Sequence, residues 1–313
     1  MAPNETAPNQ KRRRESDAEL KRDREVWLED GNVVLACEST IFRVHRSILA
    51  AHCEVFKDMF VVCAPLEDEE TYEGCPLVVV HDKPVDMRRF LKVIIYRNHY
   101  AKDITKLSLS ELGSLLRLST KYVFPSLRDE IVPFLEKLYS SRLDDYRSEH
   151  RKSLLPPDFN GISGVNLALE CDIPSILPTS YYICSRMSPT DNHSGLSFIQ
   201  PDTGDTELVE FSSTSFYHNS LWFRGCMSSL LASDIVNYIL AGYQFCSTCA
   251  VYCVFTVTRN VAVYMHPEHC FFLGQDLDDS HLCTQCREKI RGVHEDVRRS
   301  VWQKAIDLVA RGE

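Results

Sequence analysis

Acid–base and nucleophilic side chains are concentrated in the stretch TIFRVHRSILAAHCEVFKDMF, residues 40–60, which holds two histidines, a cysteine and two carboxylates. A cysteine nucleophile needs a base within hydrogen-bond reach. His45 and Cys53 are eight residues apart, about two turns of the single helix that the spacing predicts, so they cannot touch directly. We interpret His45 as a buried histidine bonded to backbone and Cys53 as a small core residue. The stretch therefore predicts architecture and not catalysis.

The elements that hold this stretch follow from the spacing of apolar residues. Residues 26–39 predict two short strands around the turn dipeptide Asp30-Gly31, and residues 75–84 predict another strand. The helical spacing inside residues 40–60 is carried by Ile48, Leu49, Cys53, Phe56 and Phe60. Three further amphipathic helices are predicted at 85–100, 108–124 and 126–141. This mixture of strands and helices predicts an α+β domain.

The composition of the whole chain limits the function classes. A length of 313 residues predicts about two domains, and a net charge of −9 disfavours a nucleic-acid-binding surface over the whole protein. The sequence shows neither an apolar run long enough to cross a membrane nor the apolar core of a signal peptide. We therefore expect an intracellular protein, in which the thirteen cysteines are thiols or metal ligands rather than disulfides.

The first 24 residues predict a disordered tail, because apolar residues are sparse and charges of both signs alternate. The tail contains two basic clusters, KRRR at Lys11–Arg14 and KRDR at Lys21–Arg24. Their separation resembles a bipartite nuclear-import signal, and the alternative is a solvated arm of mixed charge. The localisation expected from the sequence is therefore the nucleus or, without a working signal, the cytoplasm.

The second half of the chain has weaker signals. We expect residues 25–145 to be one domain, residues 146–165 a linker, and residues 166–313 a mainly helical region. A long loop is predicted near 188–220, where serine, threonine, aspartate and proline are frequent. The last 25 residues or so predict a long helix with valines on one face.

A family resemblance is carried by a strand pair followed by F-x-x-H-x-x-x-L and F-x-x-M-F, matched here by Phe42, His45, Leu49, Phe56, Met59 and Phe60. This combination resembles the start of a BTB/POZ domain. The later stretch LRLSTKYVFPSLRDEI resembles the helical hairpin near the end of that domain. The resemblance covers about Val26 to Tyr139 and implies a short mixed sheet flanked by helices, followed here by a mainly α-helical C-terminal region.

The sequence is also similar to the variant found in large fungal BTB families. In those families a segment like VNLALECDIPSILPTSYYICS follows the BTB domain, as does a late C-x-x-C…HE…R…VW pattern. The residues that match the late pattern are Cys283, Cys286, His294, Glu295, Arg298, Val301 and Trp302.

The resemblance implies a protein-interaction module that forms homodimers and, in some members, binds a cullin scaffold as a substrate adaptor of a ubiquitin ligase. The interface residues that it implies are Val26, Trp27, Ile48, Phe56 and Met59. Many BTB domains carry an aspartate where this chain has Asn32. That departure disfavours the binding of transcription-type partners through a charged pocket.

Two cysteine pairs predict a structural zinc site. The motifs FCSTC and LCTQC place Cys246, Cys249, Cys283 and Cys286 as two C-x-x-C pairs, the thiolate spacing of a tetrahedral zinc site. Five other residues are competing ligands: Cys253, His266, His269, Cys270 and His281. The alternative is that all of these cysteines are reduced core residues.

The leading hypothesis for function is a non-enzymatic, homodimerising adaptor or scaffold. One alternative is a nuclear transcription-associated regulator that uses the domain for self-association. A second is an enzyme or nucleic-acid binder in the C-terminal half, which is disfavoured because the sequence shows no phosphate-cradling glycine loop, no G-x-S-x-G and no H-E-x-x-H. We expect no small-molecule substrate and no membrane partner.

Overall fold

The computed structural model describes residues 20–62, 70–96, 104–187, 189–200, 204–226 and 283–310. The chain divides into two compact units, Met1–His99 and Tyr100–Glu313. Among the described helices, none is long and apolar enough to span a membrane.

The first unit is built on a mixed five-stranded sheet with the order β1-β3-β2-β5-β4. Its strands are β1 Lys21–Trp27, β2 Val33–Cys37, β3 Thr40–Val44, β4 Thr71–Tyr72 and β5 Cys75–Val80. Pairing is antiparallel for β2–β3 and β4–β5 and parallel for β1–β3 and β2–β5. The β4–β5 turn has positive φ at Glu73 (48°) and Gly74 (76°), the conformation that a tight two-residue hairpin requires.

Three helices accompany this sheet: α1 Arg46–His52, α2 Glu54–Val62 and α3 Pro84–Ile95. The prediction of a single helix through His45 and Cys53 is wrong. Cys53 has extended backbone angles, φ −126° and ψ 117°, so it ends α1 and α2 starts after it. The spacing of the apolar residues continues across this break, which is why the pattern did not mark it.

Strand β1 begins earlier than the sequence predicted. Residues 21–24, assigned to a disordered tail, form the first half of β1. Their charged side chains conceal a strand whose main chain pairs with β3. Residues 1–19 lie outside the described part of the chain. The predicted strands at 33–37 and 75–80 and the predicted helix at α3 are confirmed, as is the α+β class of the domain.

The second unit is mainly helical within its described residues. After a short 3₁₀ turn, Ile104–Lys106, its helices are α4 Leu109–Lys121, α5 Pro125–Leu138, α6 Leu143–Arg147, α7 Glu149–Leu154, α8 Gly161–Glu170, α9 Leu177–Ser185, α10 Pro189–Ser194 and α11 Thr284–Ala310. Helix α4 begins with a capping box, in which Ser108 and Glu111 satisfy each other's backbone amides. Helix α5 begins with Pro125 in its first turn, where no amide donor is needed.

The linker predicted at 146–165 is wrong as a description of these residues. Helix α7 and the start of α8 occupy this range, and Arg151, Asp158 and Ile162 in it are buried. Two glycines in this range are packing positions. A Cβ atom at Gly164 would lie 2.3 Å from Ser180 Oγ, and one at Gly161 would lie 2.7 Å from the Cys184 sulfur.

The long loop predicted at 188–220 is also wrong in its described part. It contains α10, an antiparallel hairpin of β6 Leu196–Ile199 and β7 Thr206–Val209, and helical residues 214–226. Asn166 of α8 holds the chain after this hairpin, because its side-chain amide donates to the Glu210 carbonyl at 2.8 Å. These strands were concealed because each has only four residues and the surrounding chain is rich in serine, threonine, aspartate and proline.

The final helix is confirmed, and it belongs to the core of the second unit. Trp302 is 4% exposed, and its indole nitrogen donates to the Ser141 carbonyl at 2.6 Å. Its ring packs against the rings of Tyr146 and Tyr182, with centroids 4.9 and 5.2 Å away. The buried residues of this cluster are Leu143, Ile162, Val165, Tyr181, Tyr182, Cys184, Phe223, Val301, Trp302 and Ala305.

Candidate interaction surface

The predicted buried position of His45 is wrong. The side chain of His45 is 25% exposed, and its Nε2 lies 3.2 Å from Oδ1 of Asp30. His45 occupies the N-cap of α1 with extended backbone angles, which turns its side chain toward the loop that carries Asp30. The histidine therefore pairs with a loop carboxylate and does not bond to backbone.

Cys53 is a core residue, as predicted. It is 1% exposed, and burial raises the pKa of its thiol to about 12. The thiolate is the reactive form of cysteine, so this thiol is almost wholly protonated near neutral pH. His45 lies at the start of α1, and Cys53 separates α1 from α2. Together they form no activated nucleophile.

Asn32 has a structural role in the first unit. Its side-chain Oδ1 accepts a 2.8 Å hydrogen bond from the Arg46 amide at the first residue of α1. An amide donor at a helix start has no partner within the helix, so Asn32 satisfies a donor that would otherwise be unpaired. The residue that departs from the usual aspartate thus fixes the entry of the chain into α1.

A second anchor holds α2 against the start of α1. The Arg46 guanidinium donates to the Phe60 carbonyl at 2.8 Å and lies 5.0 Å from the centroid of the Phe60 ring. The Phe60 ring stacks on Phe56 with centroids 5.9 Å apart, and Phe56 is fully buried. These contacts fix the rotation of α2 about its axis and therefore fix which residues it presents to solvent.

The solvent-facing row of α2 ends in an apolar residue. Glu54, Lys57, Asp58 and Val61 are exposed at the i, i+3, i+4, i+7 spacing of one helical face. Val61 is 73% exposed, although it follows three charged positions on that row. Val61 was not among the interface residues predicted from the sequence, and the signal that could have found it is a valine at the next position of an otherwise charged row.

The structure separates the residues predicted for the interface into two groups. Val26 and Phe56 are fully buried within the chain and support the surface from inside. Trp27, Ile48 and Met59 are half-buried and retain surface that a partner could contact. These three lie on β1, α1 and α2, and the contacts of Asn32 and Arg46 hold α1 and α2 in place.

The predicted zinc ligands are described only in part. Cys283 is exposed just before α11, and Cys286 is 3% exposed in the first turn of that helix. Cys246 and Cys249, and all five competing ligands, lie outside the described residues. Where the structure describes side chains, no group of three or more histidine, cysteine or acidic residues is placed to hold a metal ion.

Comparison with protein families identifies the first part of the chain. The family model for the BTB/POZ domain matches residues 26–139, from the end of β1 to the residue after α5. No curated protein matches the chain. Strands β2 to β5, the helical break at Cys53 and the α4–α5 hairpin all fall within the matched range. Residues 26–139 of this chain are a BTB/POZ domain.

Proposed function

We propose that the protein is a non-enzymatic, homodimerising adaptor or scaffold. The observation that carries this proposal is the BTB/POZ domain at residues 26–139, a domain of protein–protein interaction and self-association. The inert setting of His45 and Cys53 supports a non-enzymatic role. The half-buried residues Trp27, Ile48 and Met59, together with exposed Val61, are the contact residues of this proposal.

Copurification of two tags tests the self-association directly. A copy with one affinity tag is expressed beside a copy with a second tag, and we expect each to retain the other after purification. Val61→Arg places a charge at the apolar end of the exposed row on α2. It should weaken the retention of one copy by the other. Val79→Arg is the matched control, because Val79 is 43% exposed on strand β5 rather than on α2. Failure of the wild-type copies to copurify would contradict the proposal.

The finer proposal is that the protein presents substrates to a cullin-based ubiquitin ligase. The alternative within the same class is a nuclear transcription-associated regulator, and the neutral Asn32, in place of the aspartate that many BTB domains carry, favours the adaptor over it. Affinity purification of the full chain followed by mass spectrometry separates the two. A cullin recovered with wild type and lost with Val61→Arg supports the adaptor, whereas transcription proteins without a cullin support the alternative.

We also propose a structural zinc site formed by Cys246, Cys249, Cys283 and Cys286. The burial of Cys286 one turn from Cys283 supports it, since a C-x-x-C pair at a helix start presents two thiolates together. Metal analysis of protein purified without added zinc should give about one zinc per chain. Cys283→Ser should lose both the zinc and part of the folded stability. A folded wild type without zinc would contradict the site.

Nuclear import is the localisation that we propose, with Lys11–Arg14 as basic signal residues. A fluorescent fusion of the full chain should accumulate in the nucleus, and Arg12→Ala/Arg13→Ala/Arg14→Ala should move it to the cytoplasm. An unchanged distribution of the triple variant would favour a solvated arm without targeting function.

A further inference from the structure

The second basic cluster, Lys21–Arg24, has its main chain bonded into the sheet. Strand β1 pairs in parallel with β3, with Lys21 opposite Thr40 and Arg22 opposite Ile41. The Lys21 amide donates to the Ser39 carbonyl at 2.8 Å. A receptor that binds an extended peptide uses the peptide's main chain as well as its side chains. In this cluster, the main-chain groups on one side of the strand are already hydrogen-bonded to β3.

The cluster also contains a buried acid. Asp23 has a fully buried side chain that accepts hydrogen bonds from the amides of Glu25 and Val26, each at 2.9 Å. The same carboxylate accepts a 2.6 Å hydrogen bond from Nε of Arg88 on α3. Withdrawal of residues 21–24 from the sheet would break the Asp23–Arg88 pair and uncover Val26, which is fully buried. Leaving one member of such a pair without its partner is costly.

One of the three basic side chains is committed to the fold as well. The Arg22 guanidinium pairs with the Glu73 carboxylate and lies 4.7 Å from the centroid of the Trp27 ring. Lys21 and Arg24 are exposed, and neither side chain makes a hydrogen bond or ion pair with another described residue. The folded sheet therefore offers two separated cations from this cluster, interrupted by a buried aspartate.

We infer that Lys21–Arg24 is a part of the sheet and no part of the import signal. The inference rests on the proposed nuclear import. The partner of that signal is an acidic receptor, because charges across an interface are complementary. The fold gives the second cluster a different task, which is to hold β1 to α3 through the Asp23–Arg88 pair and to the β4–β5 turn through the Arg22–Glu73 pair.

Localisation of the full chain tests this inference with variants that spare the fold. Lys21→Ala/Arg24→Ala removes the two exposed cations and should leave the nuclear accumulation of the fluorescent fusion and the melting temperature of the purified protein unchanged. The triple variant at Arg12–Arg14 should lose nuclear accumulation. Loss of accumulation in the Lys21/Arg24 variant at an unchanged melting temperature would overturn the inference and leave the import proposal standing. Accumulation retained by the triple variant would overturn both.

Discussion

The hydroxyl of Tyr139 donates a 2.6 Å hydrogen bond to the carbonyl oxygen of Asn160, and both residues are buried. Tyr139 is the last residue of the BTB/POZ match, whereas Asn160 caps helix α8 beyond it. The Asp158 carboxylate makes a similar link, since it accepts hydrogen bonds from the amides of Leu109 and Ser110 at the start of α4. The last two helices of the family match therefore share their packing with the chain that follows.

Tyr139→Phe should lower the free energy of unfolding by about 1–3 kcal/mol, because the Asn160 carbonyl is left buried without its donor. Tyr96→Phe is the matched control. The Tyr96 hydroxyl makes a longer bond of 3.3 Å to the Glu25 carbonyl, and the residue is 38% exposed. Urea unfolding of both variants measures the difference. Equal losses of unfolding free energy in the two variants would show that the buried Tyr139–Asn160 hydrogen bond stabilises the protein no more than the exposed one does.

Truncation after residue 145 should leave the BTB/POZ region poorly folded, because it removes partners of both α4 and α5. The lost contacts include the Asp158 carboxylate at the α4 start and the Cys171 carbonyl that accepts from Arg128 at 2.8 Å. Hydrogen exchange of the amides in α4 and α5 measures the effect. The truncated chain should exchange them much faster than the full chain does, and equal protection would mean that residues 26–139 fold independently.

Gly164→Ala should destabilise the second unit by about 1–3 kcal/mol as an overpacked core substitution. The added methyl group would lie 2.3 Å from Ser180 Oγ and 2.6 Å from the Tyr139 ring, so these groups must move. Gly292→Ala in α11 is the matched control, since nothing lies within 4 Å of its Cβ position. That substitution should stabilise the helix by about 1 kcal/mol. Thermal unfolding in which Gly164→Ala is more stable than Gly292→Ala would contradict the tight packing around Gly164.

The stability that Asp144 contributes should disappear in acid. A hydrogen bond and the charge of Arg299 lower the pKa of the Asp144 carboxyl below its usual value. A carboxyl with a lowered folded pKa stabilises the protein above its unfolded pKa, and the contribution is lost as pH falls through the folded pKa. Asp144→Asn should therefore be less stable than wild type at pH 7 and equal to it at a pH below the folded pKa.

Salt supplies the control for this acid dependence. Both side chains of the pair are exposed, 62% for Asp144 and 52% for Arg299, so the interaction is screened by ions. High salt should reduce the difference between wild type and Asp144→Asn at pH 7. A difference that persists unchanged at low pH and in high salt would indicate a packing effect of the substitution.

Cys53 should resist alkylation in the native protein. Burial raises the pKa of its thiol to about 12, so only about one thiol in ten thousand is ionised at pH 8. Mass spectrometry of peptides after brief iodoacetamide treatment should show Cys53 unmodified in the folded protein. Addition of urea should make Cys53 reactive, and rapid modification of Cys53 without urea would contradict its burial.

The periodic elements were predictable because their residues repeat at the spacing of a helix face or a strand face. Helix α3 and the final helix follow that rule, strand β5 is a short apolar run rich in valine, and the Ser108–Glu111 capping box marks the start of α4. The break at Cys53 was not predictable, because a change of backbone angle at one residue leaves the apolar spacing intact.

The candidate surface was only partly predictable for a related reason. Resemblance to the BTB/POZ family indicated residues such as Trp27 and Met59 but does not give the rotation of α2. That rotation depends on the contacts of Arg46 with Phe60, which place Val61 in solvent. The packing role of Gly164 was not predictable for the same reason, since the atoms that crowd it come from residues distant in sequence.

Self-association is the central claim, and the mass of the full chain in solution tests it most directly. Sedimentation equilibrium at micromolar concentration should give twice the chain mass of 35.9 kDa. Val61→Arg should shift the equilibrium toward the single chain, while Val79→Arg should not. A wild-type protein that sediments as a single chain across the whole micromolar range would contradict the account.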